Sequence, residues 1–161
     1  MLSCKLNHSN CLCVFNASFS AICSFSVSLA GPAGKKLAEL HLEYEQLEPW
    51  PLKWLETDGV PLSYHVEKMR LSKDKTQLKV NESLTLAKIP PEVFDYRLGN
   101  RSALDWVIDQ YRISTDKRSG ITSDPNNPDD PEYIVRLIGQ VVRVSVETVK
   151  IVTALPAEYS A

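Results

Sequence analysis

The stretch FDYRLGNRSALDWVIDQY, residues 94–111, contains the clearest helical pattern in the chain. Apolar residues three and four positions apart share one face of a helix, and this spacing predicts a helix from Ser102 to Arg112. Asp105 and Asp109 fall on the outer side of that helix. Gly99 fits the turn before it. The residues that we expect to face the core are Leu104, Val107, Ile108 and Tyr111.

The sequence before this stretch predicts one more helix and several strands. Apolar spacing favours a helix over residues 35–48, which Pro49 and Pro51 would end, and an extended apolar segment over 50–55. Residues 64–69 and 76–80 are expected to form an antiparallel pair, and 84–86 a third strand or an extended link. Leu78 and Val80 would share one face of this hairpin and Gln77 and Lys79 the other, with Asn81 in the next turn.

A new short element would begin at Pro90–Pro91, since proline is tolerated in a first helical turn. After the helix at 102–112, residues 113–130 form a long polar loop, and a loop of that length is more often functional or disordered than filler. Asp130 before Pro131 predicts a capped helix start. We expect that helix to run over 131–155, although the alternating valines at 142, 144 and 146 would also permit a strand.

These elements together predict an α+β fold. A small antiparallel sheet or hairpin would pack against several helices, with the C-terminal helix the longest. A chain of 161 residues usually makes one domain. Its formal net charge of −2 gives no support to binding of nucleic acid by overall charge, so any DNA-binding face must be a local basic patch.

Residues 1–33 differ in composition from the rest, because they are rich in serine and contain all four cysteines. One interpretation is a secretory signal that ends near Ser28-Leu29-Ala30. A membrane span is a second, but the polar residues in this stretch argue against it. The interpretation that we favour is a third, an out-of-frame start placed before an intact domain. We expect this leader to be poorly ordered and the domain to occupy 34–155, followed by a tail at 156–161. The cysteine spacing predicts neither a disulfide framework nor a metal site.

The stretch at 94–111 also resembles a known family, the carboxy-terminal specificity domain of Type ISP restriction-modification enzymes. The resemblance continues through 114–121 and 130–134 and reaches back to 40–45. Members of this family are single chains that join a nuclease, an ATP-driven translocase and an adenine methyltransferase to a target-recognition domain. The resemblance implies that this chain is the recognition module of such an enzyme and a fragment of it. Its partners would be double-stranded DNA and the absent methyltransferase, helicase and nuclease domains, in the cytoplasm and without a membrane.

The catalytic motifs of that family are not found in the sequence. There is no glycine-rich phosphate loop, and Ile89-Pro90-Pro91-Glu92 is not the motif with which adenine methyltransferases hold a flipped base. The aspartates at 124, 129 and 130 lack the spacing of a calcium loop and suit turns and helix capping. Ser102 and His65 have no third partner for nucleophilic catalysis. We therefore predict no catalytic residue, no metal and no cofactor.

The DNA-binding prediction rests on basic and small polar residues at two places, before the helix at 102–112 and in the loop at 113–130. Lysine and arginine side chains suit contacts to phosphates and to base edges. Those before the helix at 102–112 could use its N-terminal amides for a phosphate, although Arg101 could instead pair with Asp105 four residues on. Three further lysines, at 73, 75 and 79, mark the predicted hairpin. The predicted DNA-binding residues are Arg97, Asn100, Arg101, Lys117, Arg118, Ser119 and Gly120.

Three other functions stay open at this point. A nuclease fragment could use Asp105 and Asp109 as paired carboxylates, although a solvated helix face explains them more simply. An extracellular structural protein would follow from the leader, and the gene could be a remnant without a role. His41, His65, Tyr96 and Trp106 suit structural positions better than functional ones.

Overall fold

A computed structural model describes residues 31–155. The predictions for the leader, its four cysteines and the tail at 156–161 lie outside the described residues. The described part has an α+β fold, as predicted, with elements in this order: α1 Pro32–Leu42, a 3-10 turn Tyr44–Gln46, β1 Lys53–Glu56, β2 Arg70–Leu71, β3 Gln77–Lys79, β4 Leu84–Ala87, a 3-10 turn Pro91–Phe94, β5 Arg97–Leu98, β6 Arg101–Ser102, α2 Ala103–Gln110, β7 Ser114–Thr115, β8 Thr122–Ser123 and α3 Tyr133–Thr153.

The main sheet has four strands in the order β1-β4-β3-β2, and each neighbouring pair is antiparallel. Its inner face carries Leu78 and Leu86, which lie opposite each other and are fully buried in the core. The third predicted strand is therefore confirmed, and so is the outward position of Gln77 and Lys79, which are exposed.

The prediction of a strand at 64–69 is wrong, because side chains rather than a neighbouring strand satisfy its backbone. The Asn126 carboxamide accepts from the Val66 amide at 2.8 Å and donates to the Val66 carbonyl at 2.9 Å. The Asn81 Nδ2 donates to the carbonyls of Ser63 and His65 at 2.6 and 3.0 Å. Strand pairing begins only at Arg70.

The helix predicted at 35–48 starts earlier and ends earlier, at Leu42. Gln140 on α3 binds the backbone of the segment that follows α1. Its Nε2 donates to the carbonyls of Glu45 and Leu47 at 2.7 and 3.2 Å. A single 3-10 turn, Tyr44–Gln46, occupies this stretch.

The long C-terminal helix α3 is confirmed over 21 residues, and the strand alternative for its valines is wrong. Its apolar face packs on α1, α2 and the 3-10 turn Pro91–Phe94. The prediction that Asp130 caps it is also wrong. Glu132 is the N-cap and makes no side-chain cap bond. The Asp130 carboxylate accepts from the Arg136 guanidinium. Gly139, at mid-helix, accepts at its carbonyl from the Trp50 amide at 3.0 Å.

His41 of α1 is buried, and its hydrogen bonds define its tautomer. Nδ1 donates to the Leu37 carbonyl at 2.7 Å, so Nε2 carries no proton and accepts from the Tyr96 hydroxyl at 3.0 Å. Burial lowers the pKa of His41 below its usual value and raises the pKa of Tyr96 to about 12. The prediction that His41 and Tyr96 are structural is confirmed.

We expect acid to destabilise the fold through His41. Because the folded protein disfavours the protonated ring, the unfolded chain binds more protons. This stability is therefore complete above the unfolded pKa of about 6.5 and is lost as the pH falls toward the lower folded pKa. Thermal melting at a series of pH values would show the melting temperature of the wild type falling across this range. His41→Gln should remove most of that fall, whereas His65→Gln, at an exposed position, should retain it.

Candidate nucleic-acid interface

The polar loop predicted at 113–130 contains a small hairpin, formed by β7 and β8. Ser114 pairs with Ser123 and Thr115 with Thr122, and the two threonine hydroxyls are 2.9 Å apart. Every residue from 114 to 124 is exposed. The hairpin is a two-stranded ribbon that presents its tip, residues 116–121, to solvent.

The tip of this hairpin is held in one conformation by Asp116. Its carboxylate accepts from the backbone amides of Arg118 and Ser119 at 2.6 and 3.1 Å, and these bonds lower the pKa of Asp116. The Asp116 carbonyl accepts from the Gly120 amide at 2.8 Å. Gly120 has a φ of +69°, a conformation that other residues rarely adopt. The backbone of the tip is thus ordered by local bonds.

The side chains of Lys117 and Arg118 extend from this ordered tip. Both are exposed, and neither forms an ion pair with any residue between 31 and 155. Ile121 is 69% exposed beside them. Two uncompensated cations next to an exposed apolar side chain give the tip the means to bind an anionic ligand that also has apolar surface.

The base of the hairpin is fastened to the body of the domain at two points. On one side, the Ile113 amide donates to the Glu67 carbonyl at 3.0 Å. On the other, Asn126 holds both backbone groups of Val66, a residue that is 0% exposed. These two attachments fix the base of the hairpin to the domain, and we call them the mount of the hairpin.

The second predicted group of residues lies in another small hairpin, formed by β5 and β6. Gly99, with a φ of +70°, and Asn100 make its turn. The Arg97 Nη2 donates to the Asn100 carbonyl at 2.5 Å. The Arg101 guanidinium lies over the Trp106 ring at 5.5 Å, and the indole Nε1 donates to the Leu98 carbonyl at 3.2 Å. We call this β5–β6 hairpin, residues 97–102, the corner. Its contacts hold Arg97 and Arg101 in place.

Three backbone amides at the N-terminus of α2, where we expected a phosphate, already have acceptors within the domain. Ser102 and Asp105 form a capping box, in which the Asp105 amide donates to the Ser102 Oγ and the Ser102 amide to the Asp105 carboxylate. The Ala103 amide donates to the Tyr96 carbonyl at 3.3 Å. This helix end is buried and carries a carboxylate, which disfavours a phosphate at the amides of α2.

Asp109 connects the corner with the start of the exposed hairpin. It accepts from Arg101 at 2.8 Å and pairs with Arg112 at 3.1 Å, and the hydrogen bond from Arg101 is the main cause of its lowered pKa. Arg101 therefore pairs with a residue eight positions on, and not with Asp105. Both carboxylates of the nuclease hypothesis are engaged, Asp105 in a helix cap and Asp109 between two arginines.

The three lysines of the main-sheet hairpin belong to other elements than these groups. Lys73 and Lys75 lie in the turn between β2 and β3, and the Lys75 ammonium lies 4.8 Å above the centre of the Phe94 ring. Lys79 lies within β3. Within the described range, no cluster of three or more His, Cys, Asp or Glu residues could hold a metal ion, and no helix is long and apolar enough to cross a membrane.

Two residues of this region were missed by sequence reasoning. The sequence predicts Arg112 only as the end of the helix, although its i,i+3 spacing from Asp109 is a usable signal. Asn126 was not singled out, and it carried no signal, because its partner Val66 is 60 positions away.

Comparison with known proteins gives one family and several solved structures. The family model described as the Type ISP C-terminal specificity domain matches residues 28–137, from before the predicted boundary at 34 to a point inside α3. A nuclease-deletion mutant of the Type ISP restriction-modification enzyme LlaGI, in complex with a DNA substrate mimic, has 38% identity and a TM-score of 0.68 over 77% of this chain and 12% of its own.

Two further solved structures are similar over the same portion. The ATP-dependent Type ISP restriction-modification enzyme LlaBIII, bound to DNA, has 40% identity and a TM-score of 0.69 over 77% of this chain and 8% of its own. DrdV in a complex with DNA has 33% identity and a TM-score of 0.63 over 78% of this chain and 14% of its own. The chain thus spans between 8% and 14% of the solved chains it matches. No curated protein matched it.

Proposed function

The chain belongs to the family of Type ISP C-terminal specificity domains, and on that premise we propose that it recognises double-stranded DNA for a restriction-modification enzyme. Methyltransferase, translocase and nuclease domains of the parent enzyme would act on the site that it selects. The observation that carries the proposal is the fixed hairpin tip with the uncompensated cations Lys117 and Arg118. The complexes of LlaGI, LlaBIII and DrdV with DNA support it, since each contains a domain similar to this one.

The β7–β8 hairpin suits the major groove, which admits a two-stranded ribbon. There Arg118 can donate two bonds to a guanine edge, Lys117 can contact a phosphate and Ser119 can bond to either. Gly120 adds no side chain at the tip, so the backbone can approach the duplex closely. A tip already ordered by Asp116 loses little conformational freedom on binding.

The corner at Arg97, Asn100 and Arg101 would make a secondary contact. Arg101 is already neutralised in part by Asp109, so its attraction for a phosphate is weaker than that of a free arginine. Arg97 is positioned by the Asn100 carbonyl but has no acidic partner within residues 31–155. We therefore assign the larger share of the binding free energy to the hairpin.

We also infer that the chain recognises DNA without cutting it, and that it acts in the cytoplasm, where its substrate would be. Both carboxylates of the nuclease alternative have structural roles. Incubation of the purified protein with plasmid and Mg²⁺ or Mn²⁺ tests this inference. Cleavage that Asp109→Asn abolishes would contradict it.

The double variant Lys117→Ala with Arg118→Ala tests the hairpin. We expect about a 10- to 100-fold weaker affinity for duplex DNA, because a base contact and a phosphate contact are removed together. The slope of log K against log salt concentration should become shallower by about 1 to 2. Fluorescence anisotropy with the full chain, repeated at several salt concentrations, measures both quantities.

Lys35→Ala with Lys36→Ala is the matched control, since it removes two exposed lysines from α1. It should leave the affinity and the salt slope close to those of the wild type. If the hairpin variant behaves like this control, the assignment of the hairpin as the DNA contact is wrong.

A further inference from the structure

The outer face of the four-stranded sheet is a second basic surface. Two rows of side chains cross it, as the register of the strands dictates. One row runs Leu55–Thr85–Lys79–Arg70 and the other Lys53–Ala87–Gln77. The three charged residues, Lys53, Lys79 and Arg70, are all exposed. We call this surface the basic sheet face.

No acidic residue shares these two rows, and no ion pair within residues 31–155 neutralises the charges of the basic sheet face. Lys53, Arg70 and Lys79 form no ion pair with any residue in the described part of the chain. Arg70 and Lys79 are direct cross-strand partners. Like charges in that position destabilise a sheet, so folding does not explain why both are basic.

The side chains that are accessible on this surface are the long polar ones. The central strand β4 contributes only small side chains, of which Thr85 is partly buried and Ala87 is 6% exposed. Longer polar side chains stand on both sides, with Lys53 on β1 and Gln77 and Lys79 on β3, and all three are exposed. A ligand at this face would therefore meet hydrogen-bond donors.

The basic sheet face is joined closely to the mount of the β7–β8 hairpin. Arg70 follows by three residues the carbonyl of Glu67, which accepts from the Ile113 amide. Three residues of chain span at most about 10 Å. Arg70 therefore lies within about 10 Å of Glu67, at which the base of the hairpin is fastened to the domain.

We propose that the basic sheet face binds the sugar-phosphate backbone of the duplex beside the segment that the hairpin contacts. The inference rests on the proposed function and adds a second contact to it. The ligand is a polyanion, because all three charges on the face are positive and no acidic side chain on the face balances them. Such a contact is independent of base sequence and strengthens binding to all duplexes alike.

The double variant Arg70→Gln with Lys79→Gln tests this inference, in the full chain with a fluorescein-labelled duplex. We expect the salt slope of binding to become shallower by about 1.8, since each lost phosphate contact removes about 0.9. Two duplexes of unrelated sequence should be affected equally. The melting temperature of the free protein should stay the same or rise by about 1–3 °C, because a repulsive cross-strand pair is removed.

Two control variants complete the experiment. Arg70→Lys with Lys79→Arg keeps both charges and should retain the wild-type salt slope, whereas Lys35→Gln with Lys36→Gln removes two charges elsewhere and should also leave it unchanged. A wild-type slope in Arg70→Gln with Lys79→Gln overturns the inference but leaves the proposed function intact, and an acidic protein surface becomes the better occupant. A wild-type chain that binds no duplex overturns both.

Discussion

Replacement of Gly139 by leucine is expected to lower the free energy of unfolding by about 2 to 3 kcal/mol, because the new side chain would collide with the segment at 49–50. Even a Cβ atom at this position would lie 2.7 Å from the Pro49 Cβ and 3.5 Å from the Trp50 amide nitrogen. The obstructing group is part of a proline ring and cannot rotate away. The Trp50 amide also donates to the Gly139 carbonyl, so displacing the segment at 49–50 breaks a hydrogen bond as well.

Gly139→Ala separates packing from helix propensity at the same position. Alanine gains about 1 kcal/mol over glycine within a helix, and the contact with Pro49 opposes that gain. We expect a net loss smaller than that of the leucine variant. Urea unfolding followed by circular dichroism measures both. Val152→Leu, at a half-exposed position of the same helix, should change stability by less than about 0.5 kcal/mol. A leucine variant as stable as the wild type would show that Pro49 and Trp50 do not pack against α3 as described.

The sequence was sufficient for elements whose stability comes from local pattern. The apolar spacing of 102–112 predicted α2, and the alternation around Leu78 predicted which side chains of β3 face the core. Local pattern could not show that residues 64–69 do not form a strand. Their backbone bonds are made by Asn81 and Asn126, and nothing in the residues at 64–69 reveals such distant partners.

The same distinction applies to the candidate site. The polar composition of 113–130 pointed to a functional loop, and its cations Lys117 and Arg118 were found from the sequence. The hairpin in this loop was not predicted, because strands of two residues are too short to show an alternating pattern. The pairing of Arg101 with Asp105 was expected from helix spacing, but Arg101 lies in β6, before the helix. The i,i+4 rule does not apply there, and the β5–β6 hairpin directs its guanidinium to Asp109.

Asn126→Ala is expected to affect both stability and DNA binding, because this side chain mounts the hairpin on the core. The substitution leaves the amide and the carbonyl of Val66 without their side-chain partner in a residue that is 0% exposed. A buried polar group without a partner costs about 1–3 kcal/mol. With some relaxation toward solvent, we expect a total loss of about 3 kcal/mol in the free energy of unfolding. That is a large fraction of the 5–15 kcal/mol typical of a domain.

The binding defect of Asn126→Ala should have a different origin from that of Lys117→Ala with Arg118→Ala. All cations remain, so the salt slope should stay near the wild-type value while the affinity falls, because the freed hairpin must be ordered again on binding. Amide hydrogen exchange of residues 113–124 should be faster than in the wild type. Asn127→Ala is the matched control, since Asn127 bonds only to its own turn at Asp129. Asn126→Asp keeps the acceptor for the Val66 amide and should fall between the two. If Asn126→Ala weakens folding but leaves hydrogen exchange in the hairpin and DNA affinity unchanged, the hairpin does not depend on this mount.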